Sequence, residues 1–188
     1  MAIQITFDCE ITGIAPLLQN NIASAEEQMS RKGKRATSGV RDNPEEWKSK
    51  LYRVPGDGQL GHPSAALESA LVKAARDFKA DKRRSMSEVV KALVFVPTEW
   101  LVLKQKDTDV LVRRDSVVNP NTKGRGFVYR PSFGEGWQAT FPLVLADTEV
   151  IEVARLKEIL DYAGYRIGLG DWRPKFGRFL VSRFQESK

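Results

Sequence analysis

The chain has 188 residues, 41% hydrophobic and 29% charged, enough apolar material for one sizeable core and the composition of an ordinary globular domain. Thirty Lys and Arg against 24 Asp and Glu leave a net charge of +6, which favours an acidic partner, either nucleic acid or an anionic membrane surface. No basic amphipathic helix or long apolar span supports the membrane. The lone Cys9 excludes an intrachain disulfide and lends nothing to a thiolate zinc site, so no metal or cofactor is expected and a reducing cytoplasm is the expected location.

Ile3, Ile5, Phe7, Cys9 and Ile11 alternate with Gln4, Thr6, Asp8 and Glu10, which predicts a first strand with one buried face rather than a secretory leader. Gly13-Ile-Ala-Pro breaks it. Residues 20–43 are polar, lack periodicity and carry Arg31, Lys32, Lys34, Arg35 and Arg41, so they read as a long basic insertion within a single domain spanning 1–188. A short helix with Pro44 at its first position follows, then a hairpin in which Lys50–Val54 and Gln59–Gly61 flank Pro55-Gly-Asp-Gly. Pro63-Ser64 opens a helix whose apolar face is Leu67, Ala70, Leu71, Ala74, Ala75 and Phe78.

After the basic connector Asp81-Lys-Arg-Arg, Ala92–Val96 and Trp100–Leu103 are apolar and β-rich enough for strands, with a further short strand at Val110–Val112. Lys123 and Arg125 sit in a basic turn. Extended segments at Phe127–Pro131 and Trp137–Leu145 flank Gly134-Glu-Gly. Val153, Leu156, Ile159, Leu160 and Ala163 mark a second helix ended by Gly164, and Phe179–Phe184 form the last strand. Stripped of insertions, the order strand, helix, strand, strand, helix, strand predicts an α+β, ferredoxin-like fold. Its antiparallel sheet carries both helices on one face and leaves the other open for a ligand.

Candidate functional residues cluster near the C-terminus, in Tyr165-Arg-Ile-Gly-Leu-Gly-Asp-Trp-Arg-Pro-Lys-Phe-Gly-Arg. Arg166, Arg173, Lys175 and Arg178 supply phosphate-binding charge. Trp172 either stacks a base or packs on the core. Gly168 and Gly170 serve the loop backbone, and a GxG that follows a helix rather than a first strand argues against a dinucleotide fingerprint. Lys123, Arg125 and Arg130 interleave with Phe127 and Tyr129, a pattern that suits a single-strand groove. Alternation sets Val128 and Arg130 on one face and Phe127 and Tyr129 on the other without saying which meets the strand. His62 is the only histidine, so any imidazole base must be this residue, although its position between a turn and a helix favours a structural role. Asp8 and Glu10 share a strand face, but their spacing forces no metal site.

Three features resemble the repeat-associated mysterious protein (RAMP) superfamily, and within it the backbone subunits of CRISPR effector complexes and their small phage-encoded relatives. They are the strand followed by Gly13-Ile-Ala-Pro-Leu-Leu, the helix entry Leu60-Gly-His-Pro-Ser-Ala-Ala-Leu, and the loop Gly168-Leu-Gly-Asp-Trp-Arg-Pro-Lys-Phe-Gly-Arg-Phe. The resemblance implies a modified RNA-recognition fold that grips a single strand through its backbone, with residues 20–43 as counterpart of a thumb-like insertion. It also implies self-association along the strand. The expected function is therefore non-enzymatic, oligomeric binding of single-stranded nucleic acid in a host cytoplasm, DNA slightly ahead of RNA. Besides the strand, a CRISPR, recombination or replication protein is a candidate partner. One alternative is an anti-defence protein that mimics a CRISPR backbone subunit and interferes with effector assembly. The other is an endoribonuclease using His62.

Overall fold

Alternation of apolar and polar residues over Ile5–Gly13 gives the central strand β1, whose Phe7, Cys9 and Ile11 point into the core. The computed structural model describes residues 4–21, 43–79, 85–118 and 123–187. The 20–43 insertion, with Arg31, Lys32, Lys34, Arg35 and Arg41, lies outside these residues apart from its ends, as does the Asp81–Arg84 connector. The two-residue strand β2 (Leu17–Leu18) follows β1, and helix α1 (Glu46–Lys50) comes next. Pro44 falls in the turn ahead of α1 rather than at its first position. Strand β3 (Gly61–Pro63) runs directly into helix α2 (Ser64–Ala74), which buries Leu67, Ala70, Leu71 and Ala74 as the sequence predicts.

Helix α3 (Met86–Leu93) corrects the sequence reading, which places Ala92 and Leu93 in a strand. Ser85 and Glu88 form a reciprocal capping box, and Met86, Val89 and Val90 recur at helical spacing and are buried. Only Val94–Phe95 remains as strand β4, and β5 (Trp100–Leu103) follows. β6 (Val110–Val118) is three times the expected length and pairs along its whole course with β7 (Arg125–Phe133). β8 (Gln138–Leu145), helix α4 (Val153–Tyr162) and β9 (Phe179–Glu186) complete the chain. Gly164 does not end α4. The helix continues through a wider turn, Ala163–Ile167, and stops at Gly168 with φ at 75°. Gly164 instead lets the helix meet β9, since a Cβ there would strike the Phe179 carbonyl.

The main sheet has the order β3-β5-β8-β1-β9, with β4 also paired to β8, and every pairing is antiparallel. β4 and β5 are two halves of one strand position, interrupted at Val96–Glu99 around Pro97. With that grouping the order is the ferredoxin-like one, and the fold is α+β. Leu67, Leu71, Val90, Leu156, Ile159 and Leu160 join Phe7, Ile11, Phe141 and Leu143 in one core, so three helices rather than two cover the same face.

A second sheet, β2-β7-β6, stands off the first. It is the β6–β7 hairpin, a long arm inserted between β5 and β8 and rooted on β2. Buried Gln19 ties the two sheets together, its Nε2 donating to the Gly61 carbonyl (2.7 Å) and its Oε1 accepting from Tyr52 N–H (2.9 Å). No helix among the described residues is long and apolar enough to cross a membrane.

Candidate nucleic-acid interface

The C-terminal loop is held by backbone, and its glycines face the protein itself. Asp171 N–H donates to the Leu18 carbonyl (2.9 Å), Gly177 N–H to Pro16 (2.8 Å) and Leu169 N–H to Gly177 (2.9 Å). A Cβ on Gly170 would collide with the Leu18 carbonyl, and one on Gly177 with that of Leu169. Both sit at positive φ, near 74°. Gly170 is required by close packing against β2 and Gly177 by close packing against Leu169 within the loop, so they do not mark where a polyanion approaches.

Loop and arm meet at Arg130. Sequence reasoning offers Arg130 as a phosphate contact, but the residue is only 8% exposed and its Nε donates to Asp171 Oδ2 at 2.8 Å. Its Nη1 lies 3.6 Å from Asp115, and its guanidinium is 4.6 Å from the Trp172 ring centroid. On β6, Arg113 bonds Asp115 through Nε (2.9 Å) and reaches the rings of Phe176 (4.9 Å) and Trp172 (5.9 Å). Register explains the grouping: Arg113 is directly opposite Arg130, and Asp115 lies two residues on along the same face.

Trp172 settles between the two readings left open for it. It is 40% exposed and absent from the core, yet it is not a loose side chain. Its backbone sits at φ 56°, its N–H bonds Asp171 Oδ1 (3.1 Å), and Arg130 lies against its ring. Arg173 and Lys175, to either side of Pro174, are exposed and have no carboxylate partner among the described residues, although Lys175 Nζ lies 5.7 Å from the Phe176 ring.

On the opposite face of the arm, Arg114 stacks on Phe127 at 3.5 Å and approaches Tyr129 at 5.9 Å. Thus Arg130 turns toward the loop, and Phe127 and Tyr129 turn away from it. Lys123 and Arg125 are exposed near the tip, and at about 3.4 Å per residue Arg125 stands roughly 17 Å beyond Arg130 along β7. Arg166 is exposed on the turn after α4, 5.8 Å from the Tyr162 ring, in a different setting from the loop cluster. Arg178 is half-buried, with its Nε unpartnered. Arg113, Arg114, Asp115 and Asp171 were missed as site residues. The charged run Arg113-Arg114-Asp115 within the otherwise apolar Val110–Val118 was the available signal for the first three.

The open face of the main sheet does not gather the cations. A cavity of about 600 Å³ there is lined by Asp8, Glu99, Trp100, Val102, Thr140 and Arg183 among others. Glu10 beside it is held by Lys104 (2.6 Å) and Arg183 (3.9 Å). Among the described residues no cluster of His, Cys, Asp and Glu fits a metal. Cys9 is buried, and that burial pushes its thiol up to about 12, which makes it unreactive.

His62 is 4% exposed. Burial, and then the charge of Arg173, push its pKa down to about 4, so the imidazole is neutral at physiological pH. Its ring meets Tyr52 edge-on at 5.5 Å.

No known family model matches the chain, and no curated protein does. Among solved structures it is similar to a chain from the cryo-EM structure of the Type III-B Cmr-beta complex bound to cognate target RNA. The TM-score is 0.52 at 11% identity, over 98% of this chain and 61% of that one. At that identity the likeness concerns the fold, and it supports the RAMP-like architecture expected from the resemblance.

Proposed function

We propose that the protein binds single-stranded nucleic acid without cleaving it, on the surface shared by the C-terminal loop and the β6–β7 arm. The observation that carries this reading is Trp172, a partly exposed indole with Arg130 against its ring and its backbone N–H bonded to Asp171, beside Arg173 and Lys175, which have no carboxylate partner among the described residues. A fixed aromatic platform loses little entropy on stacking a base, and neighbouring cations take the phosphates. Arg114, Phe127 and Tyr129 offer a second such surface on the arm, with Lys123 and Arg125 extending the positive charge to its tip.

RNA takes precedence over DNA, because the structural neighbour is described as bound to target RNA. The burial of His62 supports binding over catalysis, since a general base must reach the proton it removes. Fluorescence anisotropy of oligo-U and oligo-dT across a salt series tests the reading. Submicromolar, salt-sensitive binding is expected, and the tighter oligomer identifies the sugar. Absence of binding at low salt removes the proposal.

One observation favours a protein partner as well. The outer edge of β6 is unpaired among the described residues, and Leu111 and Val112 on that strand are 57% and 46% exposed. An edge of this kind accepts another strand. If nucleic acid fails to bind, the interaction reading inherits this surface.

A further inference from the structure

The break between β4 and β5 shapes the cavity of about 600 Å³ on the open face of the main sheet. β4 pairs with β8 at Leu145 and Val144, and β5 resumes the pairing at Thr140. The three β8 residues between them have no partner on that side. Proline cannot donate to a ladder, and Pro97 and Pro142 both fall in this gap. Pro142 and Phe141 from β8 line the cavity together with Thr98 and Glu99 from the break.

Val54, Trp100, Val102 and Pro142 give the cavity apolar walls, and its size is that of a small-molecule site. Two exposed carboxylates line it as well, Asp8 on β1 and Glu99 in the break. The Glu99 carboxylate has no hydrogen-bond or ionic partner among the described residues. Asp8 accepts one hydrogen bond, from the Ser187 hydroxyl to Oδ1 at 2.8 Å. Arg183, the one cation among the lining residues, approaches Glu10 at 3.9 Å. A recess with acceptors and no cation to spare does not suit a phosphate. It suits a flat apolar group that carries N–H donors.

We propose that this cavity reads a guanine of the bound strand. Guanine alone among the common bases presents two adjacent donors, N1–H and N2–H₂, which one carboxylate accepts as a fork while the rings pack on Trp100. The cavity is also joined to the loop. Trp100 lies 6.1 Å from the Tyr52 ring, and Tyr52 lines a second cavity, of about 330 Å³, with Arg173. Loop and arm then hold phosphates, and the open sheet face, poor in cations, selects the base. The inference deepens the nucleic-acid reading and rests on it for the strand that carries the guanine.

The test compares oligo-U of one length with versions in which the central base is guanine, inosine or adenine, using the full chain and anisotropy. The guanine oligomer is expected to bind about tenfold more tightly than the adenine one. Inosine, which lacks the N2 amino group, should fall between them. Asp8→Asn with Glu99→Gln should erase the preference, and both positions are exposed, so the fold is retained. Equal affinity of all four oligomers overturns the guanine site and leaves strand binding standing. A preference that survives in the double variant also overturns it, because the base is then read elsewhere. If no oligomer binds, saturation-transfer NMR of guanosine and of an arginine tripeptide decides. Transfer to guanosine that the double variant loses keeps the base site without the strand. Transfer to the tripeptide alone, or to neither, overturns the proposal.

Discussion

The Arg130 guanidinium lies 4.6 Å from the centre of the Trp172 ring while its Nε bonds Asp171, the residue just before that tryptophan. One side chain therefore fixes both the position of the indole and the carboxylate at its root. Removing it should loosen the loop and leave Asp171 without its counter-charge, while Asp115 keeps Arg113. Arg130→Ala is expected to lower stability by about 1–3 kcal/mol, the cost of a partly buried, charge-assisted hydrogen bond and of the lost packing on Trp172. Denaturant unfolding measures it. A loss below about 0.5 kcal/mol would mean that the pair does not organise the loop.

Trp172→Ala should behave in the opposite way. With 40% of the residue exposed and no place in the core, the fold loses the contacts of the ring with Arg130, Arg113 and Phe176, about 1 kcal/mol. Strand affinity should fall by roughly 1–3 kcal/mol. Anisotropy and thermal unfolding of the same variant separate the two effects. Unchanged affinity would exclude the indole from the interface.

The glycines at 170 and 177 give a sharper stability test. A methyl group at either one meets a carbonyl oxygen and sits at positive φ, so Gly177→Ala should cost about 2 kcal/mol or more. Gly56→Ala, also at positive φ but with open space around it, should cost less. Equal melting temperatures for the two variants would contradict the close approach of Gly177 to Leu169 within the loop.

His62 makes stability fall in acid. Its pKa is lowered from 6.5 to about 4 in the folded protein, so above pH 6.5 neither state is protonated there and the group contributes nothing. Between pH 6.5 and 4 the unfolded chain takes up a proton that the folded chain does not, and stability is lost as pH falls. The full penalty is roughly 3 kcal/mol. The wild type should lose more stability than His62→Gln between pH 7.5 and 4.5, after the carboxylate effects common to both are subtracted. Parallel pH profiles would show that His62 protonates freely.

The arm is tested by salt. If Lys123 and Arg125 each neutralise a phosphate, the double alanine variant should reduce the slope of log K against log salt by about 1.4 for a single strand. An unchanged slope confines binding to the loop.

Much of the fold was legible because β1, α2 and α4 carry clean periods, two for the strand and 3.6 for the helices, with one face buried. Helix α3 was missed although Ser85-Met-Ser-Glu88 spells a capping box, since the apolar run from Ala92 to Val96 straddles the helix–strand junction and reads as strand throughout. The arm was underestimated because β6 buries neither face in the main core, so Arg113, Arg114 and Asp115 broke the expected apolar alternation. The loop was visible as a candidate, but its partner was not. Arg130 and Asp171 are joined only by the pairing of β2 with β7 and by the backbone bond from Asp171 to Leu18, neither of which has a local signature.

That same backbone bond gives the loop one of two anchors on the second sheet. Asp171 is fastened to β2 through its N–H and to β7 through its carboxylate, and β7 is the inner rail of the arm. The indole at residue 172 therefore takes its position from two strands of the second sheet, and not from the helices that precede the loop.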